Sequence, residues 1–174
     1  MDIVAILIII IIAIILVLTF YIIGLYNRLI DSKNKIEDKF NQIDIELKNK
    51  LDLIPNLIDT ISSLTKHEEK TINELSSSAT KLEKSKNIND KIVNSNNMNR
   101  AINKIFNLID TYPELKKNKN FQIVQKKLEE CDDKINYAKT FYNDVVLDYN
   151  NLREEFPSNL VSKAFKFKEI NYYK

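Results

Sequence analysis

Residues 3–23 form a run of 21 consecutive positions without a charged side chain, dominated by Ile and Leu. At about 1.5 Å of rise per residue a helix of that length spans about 31 Å, the thickness of a bilayer's hydrocarbon core. A secretory signal would carry a basic start, a shorter apolar stretch and small residues at a cleavage site. Here Asp2 precedes the run and the bulky Phe20, Tyr21, Ile22 and Ile23 close it. The segment therefore reads as an uncleaved membrane anchor, with Tyr21 and Tyr26 suited to the interface. No Lys or Arg lies before the run, whereas Arg28, Lys33, Lys35 and Lys39 come soon after it. That asymmetry puts a short N-terminus outside and the rest of a single-pass chain in the cytoplasm.

Beyond the anchor the chain must be built almost without turns. It has one glycine, Gly24, and three prolines, too few for a nucleotide-cradling loop or for the many tight turns of an all-β fold. A net charge of +2, from 26 basic and 24 acidic side chains, lacks the concentrated basic face of a nucleic-acid binder, so no nucleic-acid partner is expected. Cys131 and His67 are the only residues of their kinds. Neither an internal disulfide nor a Cys and His zinc site can be assembled from them.

Helical stripes account for most of the remainder. Ile36, Phe40, Ile43, Leu47, Leu51, Ile54, Ile58, Ile61 and Thr65 recur in steps of three and four, with one extra step at Leu47–Leu51 that reads as a stutter. Phe121, Val124, Leu128, Cys131, Ile135, Ala138, Tyr142, Val145, Tyr149, Leu152 and Phe156 alternate without interruption. They predict a second long helix, capped by Asn118 or Asn120 and ended by Pro157. Between them lie shorter stripes at Ile72, Leu75, Ala79 and Leu82, after a capping-box match of Thr71 with Glu74, and from Met98 through Ile102, Ile105 and Ile109 to Tyr112. The Asn-rich stretch 85–99 reads as a loop. Since an amphipathic stripe is buried only against another, the expected fold class is all-α: an N-terminal transmembrane helix, then an antiparallel four-helix bundle of two long and two shorter helices. The short pair is expected to form a hairpin rather than to lie end to end. The division is an anchor at 1–26, a bundle at 27–157 and a basic-aromatic tail at 158–174.

Several ordered motifs carry a family resemblance. They are Asp44-Ile45-Glu46-Leu47, Asp52-Leu53-Ile54-Pro55-Asn56-Leu57, Lys66-His67-Glu68, Tyr112-Pro113-Glu114-Leu115, Asn120-Phe121, Tyr137-Ala138, Phe141-Tyr142-Asn143-Asp144, Tyr149-Asn150 and Phe156-Pro157-Ser158-Asn159-Leu160-Val161. Together with Tyr26-Asn27 they make the chain similar to the bacterial LemA family over about residues 1–170. The resemblance implies one N-terminal membrane helix in the bacterial inner membrane, a cytoplasmic helical bundle and a molecular role that is not established. It also points toward membrane quality control beside a membrane protease. Phe40 stands where the family usually has Trp, Asn49-Lys50 where a basic pair is common, and Lys166 where Gly is usual.

Candidate chemistry is sparse. His67, among Lys66, Glu68 and Glu69, reads as a solvated turn in preference to a general base, and Cys131 as core, since it falls on the seam. Glu129, Glu130, Asp132 and Asp133 read as a solvated face in preference to a metal cage. No catalytic, cofactor-binding or metal-ligating residue is assigned and no enzyme activity is expected. Interaction candidates are Asp52, Pro55 and Asn56 at an expected kink, and Asn143 and Asn150, which flank two inward tyrosines. In the tail they are Lys163, Phe165, Lys166, Phe167 and Lys168, which suit either an anionic membrane surface or docking onto the bundle. The expected role is a non-enzymatic scaffold, or alternatively a lipid- or stress-responsive regulator. Its expected partners are the bilayer and an unidentified membrane-associated protein, with self-association left open.

Overall fold

The computed structural model describes residues 3–65 and 68–173. Among them every regular element is helical: α1 (Ile3–Leu64), α2 (Glu69–Glu83), α3 (Ile88–Asn107), a 3-10 turn (Leu108–Asp110), α4 (Pro113–Lys117), α5 (Lys119–Glu154) and α6 (Ser158–Ala164). Lys66 and His67, with Met1, Asp2 and Lys174, lie outside the described residues. The residues gather into two compact units, one of 3–38 with Asn143–Tyr172 and the other of Lys39–Tyr142 with Tyr173.

The first part of α1 is the apolar run, long and apolar enough to cross a membrane and left uncovered by the rest of the protein. Further along, α1 buries Ile36, Phe40, Ile43, Leu47, Lys50, Ile54, Leu57 and Ile61. Those steps are 4, 3, 4, 3, 4, 3 and 4, a heptad without interruption. The expected stutter at Leu47–Leu51 is therefore absent. It arose because the seam position is filled by a lysine, and the nearest apolar residue, Leu51, is only half-buried. The slip lies in α5 instead, where Ala138, Tyr142 and Val146 are buried in two successive steps of four. Val146 thus replaces the expected Val145, and the chain leaves the seam before Phe156, which is 80% exposed. α5 stops at Glu154, and Ser158–Ala164 forms a separate short helix after a cis Phe156–Pro157 peptide.

α2 and α3 pack against one another as a hairpin. Leu75, Ser78 and Leu82 face Ile92, Ser95, Met98, Ala101, Ile102 and Ile105 as the buried sets of the two helices. Most of the expected loop 85–99 is in fact the start of α3. Asn is a weak helix former in the interior but a strong N-cap, and Asn87 takes that position, its side chain accepting a hydrogen bond from the Asp90 amide at 2.8 Å. The capping box is not formed either: α2 begins at Glu69, and Glu74 pairs across the hairpin with Lys104 at 2.6 Å. Asn118 does cap α5, accepting from the Phe121 amide at 3.0 Å.

Candidate functional site

In the unit built from Lys39–Tyr142, α1, α3 and α5 meet at a charged side chain with no exposed surface. Lys50 is 0% exposed, and its ammonium donates to Asn99 Oδ1 at 2.7 Å and to Asp132. Burial lowers its pKa, and Asp132 opposes that shift. A buried ammonium without such partners would be far too costly, so Asp132, read from the sequence as solvated, is structural. Next to Asp132 in the chain, Cys131 is buried and burial pushes its thiol pKa up, which makes it a poor nucleophile. Tyr173, almost the last residue, is buried in the same unit. Its hydroxyl shares a short hydrogen bond with Ser95, its ring lies edge-on to Tyr142 at 6.5 Å, and Lys139 Nζ sits 4.2 Å from its centroid. On the rim, burial would raise the Asp44 pKa, but Lys91 and Lys48 outweigh it and hold the carboxyl below its usual range.

The other unit holds the rest of the tail. Tyr149 donates its hydroxyl hydrogen to the Lys168 carbonyl at 2.8 Å. Asn150 donates to the Ile170 carbonyl at 2.9 Å and accepts from the Ile170 amide at 3.2 Å. The seven-residue Tyr-Asn repeat therefore does more than set register: its second copy is a clamp for the tail. Tyr142, in the first copy, is buried and its hydroxyl pKa is pushed up to about 12 by burial; Asn143 beside it is half-buried.

The tail turns on Lys166, whose φ of 58° is left-handed. The amide of Phe167 reaches the Ser162 carbonyl at 2.9 Å and that of Lys166 the Lys163 carbonyl at 3.3 Å, the paired bonds of a Schellman ending. Glycine is usual at this position in the family the chain resembles, and the left-handed turn is made here by a lysine. The turn brings Phe165 and Phe167 to the same ring, with centroids 4.9 Å and 5.6 Å from that of Tyr26.

Beside this aromatic cluster is a cavity of about 390 Å³ lined by Tyr26, Ile30, Lys33, Tyr149, Ile170 and the run Phe165–Lys168. Its charged lining residues are Lys33, Lys166 and Lys168, and no carboxylate lines it. Nearby acids are turned elsewhere: Glu169 approaches Arg153 at 3.6 Å, and Asp31 lines a second cavity with Arg28, Lys35, Asp148 and Glu155. Lys163 is exposed but does not line the lysine cavity.

Of the kink candidates, Asp52 and Pro55 line a groove of about 500 Å³ with Ser76, Ala79 and Thr80 of α2. Asn56 does not join them; its carbonyl accepts the Thr60 hydroxyl at 2.8 Å. Sequence reading missed an exposed aromatic pair on α5, Tyr137 and Phe141, edge to face at 4.9 Å, with Lys39 Nζ 5.9 Å from the Phe141 centroid. The available signal was two aromatics four residues apart, both off the seam. Among the described residues no group of three His, Cys, Asp or Glu side chains is placed to hold a metal ion.

Two comparisons bear on identity. The sequence model of the LemA family matches residues 39–174. No protein with a curated description matches the chain.

Proposed function

Because the chain belongs to the LemA family, we propose that it is a membrane-anchored, non-enzymatic interaction protein. In this reading residues 3–23 cross the bacterial inner membrane once with the N-terminus outside, and α1, α2, α3 and α5 form an antiparallel four-helix bundle in the cytoplasm. The exposed apolar run supports the anchor, since 21 uncharged, largely apolar residues left open to water would be aggregating surface and a bilayer covers them. The ties Asp44–Lys91, Lys50–Asp132, Glu74–Lys104 and Phe106–Phe121 support the bundle.

The observation that carries the contact role is the Tyr137–Phe141 pair. Buried tyrosines here are committed to internal packing, whereas Tyr137 is 70% exposed beside a second aromatic and a cation. Exposed aromatics of this kind serve as anchors for protein partners. A photo-crosslinking residue at Tyr137 in intact cells should yield a discrete adduct with a membrane-associated protein or a second copy, identified by mass spectrometry. A crosslinker at exposed Lys126 should not. Identical patterns at both positions would sink this reading. Enzyme activity has its own test: replacing His67 and Cys131 together by Ala should leave a deletion strain complemented, and failure with a folded protein would revive catalysis. A lipid-responsive regulator is the second reading, and the lysine-lined cavity is what favours it.

A further inference from the structure

We propose that the cavity lined by Tyr26, Lys33, Phe165, Lys166, Phe167 and Lys168 binds the phosphate headgroup of an anionic phospholipid. The proposal rests on the reading of residues 3–23 as a membrane span and adds a ligand to it. Three features of the cavity carry it. Its charge is of one sign: three lysines line about 390 Å³ with no carboxylate among them, a concentration of cations that an anion relieves. Its walls are otherwise apolar and aromatic, and Phe165 remains 56% exposed although it touches Tyr26. Lysine with exposed aromatics suits the boundary between headgroups and acyl chains.

Its position along the chain is the third. Tyr26 lies three positions beyond Ile23, the last residue of the apolar run, about 4.5 Å along a helix. The headgroup layer is about 5–8 Å deep on each side of the hydrocarbon. Tyr26, Ile30 and Lys33 are spaced four and three apart on one face of α1, and helical side chains tilt toward the N-terminus, here toward the bilayer. The tail closes the cavity through the left-handed turn at Lys166 and the clamp of Tyr149 on the Lys168 carbonyl. Those ties are to backbone, so the clamp itself leaves the three ammonium groups unused. A phosphodiester oxygen taking up these lysines would leave its glycerol and acyl portions against Phe165 and Tyr26.

The test uses the full chain in a zwitterionic detergent. Short-chain phosphatidylglycerol, short-chain phosphatidylcholine and inorganic phosphate are each titrated against Tyr fluorescence and by native mass spectrometry. Phosphatidylglycerol should bind at least about tenfold more tightly than the other two, and its affinity should fall with added salt. The variant Lys33→Ala with Lys166→Gly and Lys168→Ala preserves the turn and removes the charge. It should lose about 100-fold in affinity, at about fivefold per lysine, with an unchanged helical circular-dichroism spectrum. Equal affinity for the two lipids, or an unaffected triple variant, overturns the proposal; so does inorganic phosphate binding as well as phosphatidylglycerol, which would mark a soluble-anion site. Retention of the wild type on pure phosphatidylcholine vesicles after an alkaline wash reads the anchor independently. Loss of retention there fails the membrane span, while retention without a lipid preference fails the cavity alone.

Discussion

Both compact units place polar side chains in an apolar seam, and they do so at opposite costs. Around Lys50 a full charge is taken out of water and returned only a carboxylate and an amide, Asp132 and Asn99. Around Tyr149 and Asn150 the buried groups are neutral, and what they hold is backbone: the carbonyls of Lys168 and Ile170 and the Ile170 amide. In the charged network, losing a partner of the buried ammonium leaves that charge uncompensated, whereas losing the ammonium leaves only a part-exposed carboxylate. The neutral clamp orders a segment that has no seam of its own. Stability effects should therefore be large and asymmetric in the first region, moderate and local in the second.

The asymmetry is sharpest within the Lys50 network. Asp132→Ala leaves the ammonium buried beside Asn99 alone and should destabilise the fold by about 3 kcal/mol, read as the shift in urea midpoint. Lys50→Met should cost far less or stabilise, because Asp132 retains 40% side-chain exposure and water can take up its charge. Equal losses for the two variants would remove the charged half of the comparison. The pH response has a definite sign. The folded-state pKa of Lys50 lies below 10.5, so the unfolded chain binds more protons between the two values. Stability from this group therefore rises with pH up to about 10.5.

Alkaline pH next exposes Tyr142. Its folded pKa of about 12 lies above the ordinary 10.0, so the neutral hydroxyl is favoured in the fold. The contribution is fully present below about pH 10 and is lost as pH rises through about 12. Burial raises Tyr149 and Tyr173 in the same direction. Urea unfolding between about pH 9 and 12 should show stability falling above about pH 10.5, where the rise from Lys50 has ended. Tyr142→Phe should make that fall shallower, and an unchanged slope would place the alkaline sensitivity elsewhere.

These same residues mark what the sequence could and could not disclose. The heptad of α1 was legible at most of its apolar positions; it failed at Lys50, because a charge on a seam reads as an interruption, and in consequence at Leu57, which is buried where the half-buried Ile58 was expected. The phase from Ile36 to Leu47, continued at three and four, leads to Lys50, Ile54, Leu57 and Ile61, so the signal was present and outvoted by polarity. The start of α3 was hidden differently. Asn89, Asn94, Asn96 and Asn97 are poor helix formers, but tertiary burial of Ile92, Ser95 and Met98 overrides propensity. The site was less legible than the fold. Lys33 and Lys166–Lys168 are over 130 positions apart, and whether the tail aromatics meet Tyr26 or only a membrane depends on a clamp that pattern cannot show.

The neutral region is tested by Asn150→Leu. Removing the amide leaves the Ile170 carbonyl and amide without their side-chain partner, at about 2 kcal/mol. The loss should be confined to the tail: trypsin cleavage after Lys166 and Lys168 should accelerate, while amides of α3 keep their exchange protection. Global unfolding at the same cost would mean that the tail is as much a part of the folding unit as the Lys50 network. That outcome would erase the distinction between the regions.

The smallest effect is the one with the opposite sign. Lys166 holds a φ of 58°, a conformation that places Cβ against the next carbonyl and costs a non-glycine residue about 1 kcal/mol. Glycine has no Cβ to clash, but it also leaves a more flexible unfolded chain. At a left-handed C′ position the first effect outweighs the second, which is why glycine dominates such endings. Lys166→Gly should therefore stabilise by up to about 1 kcal/mol and slow cleavage after Lys168, while a β-branched Lys166→Val should speed it. If glycine stabilises yet phosphatidylglycerol binding falls about fivefold, the lysine is kept at this turn for its charge, against the preference of the backbone that carries it.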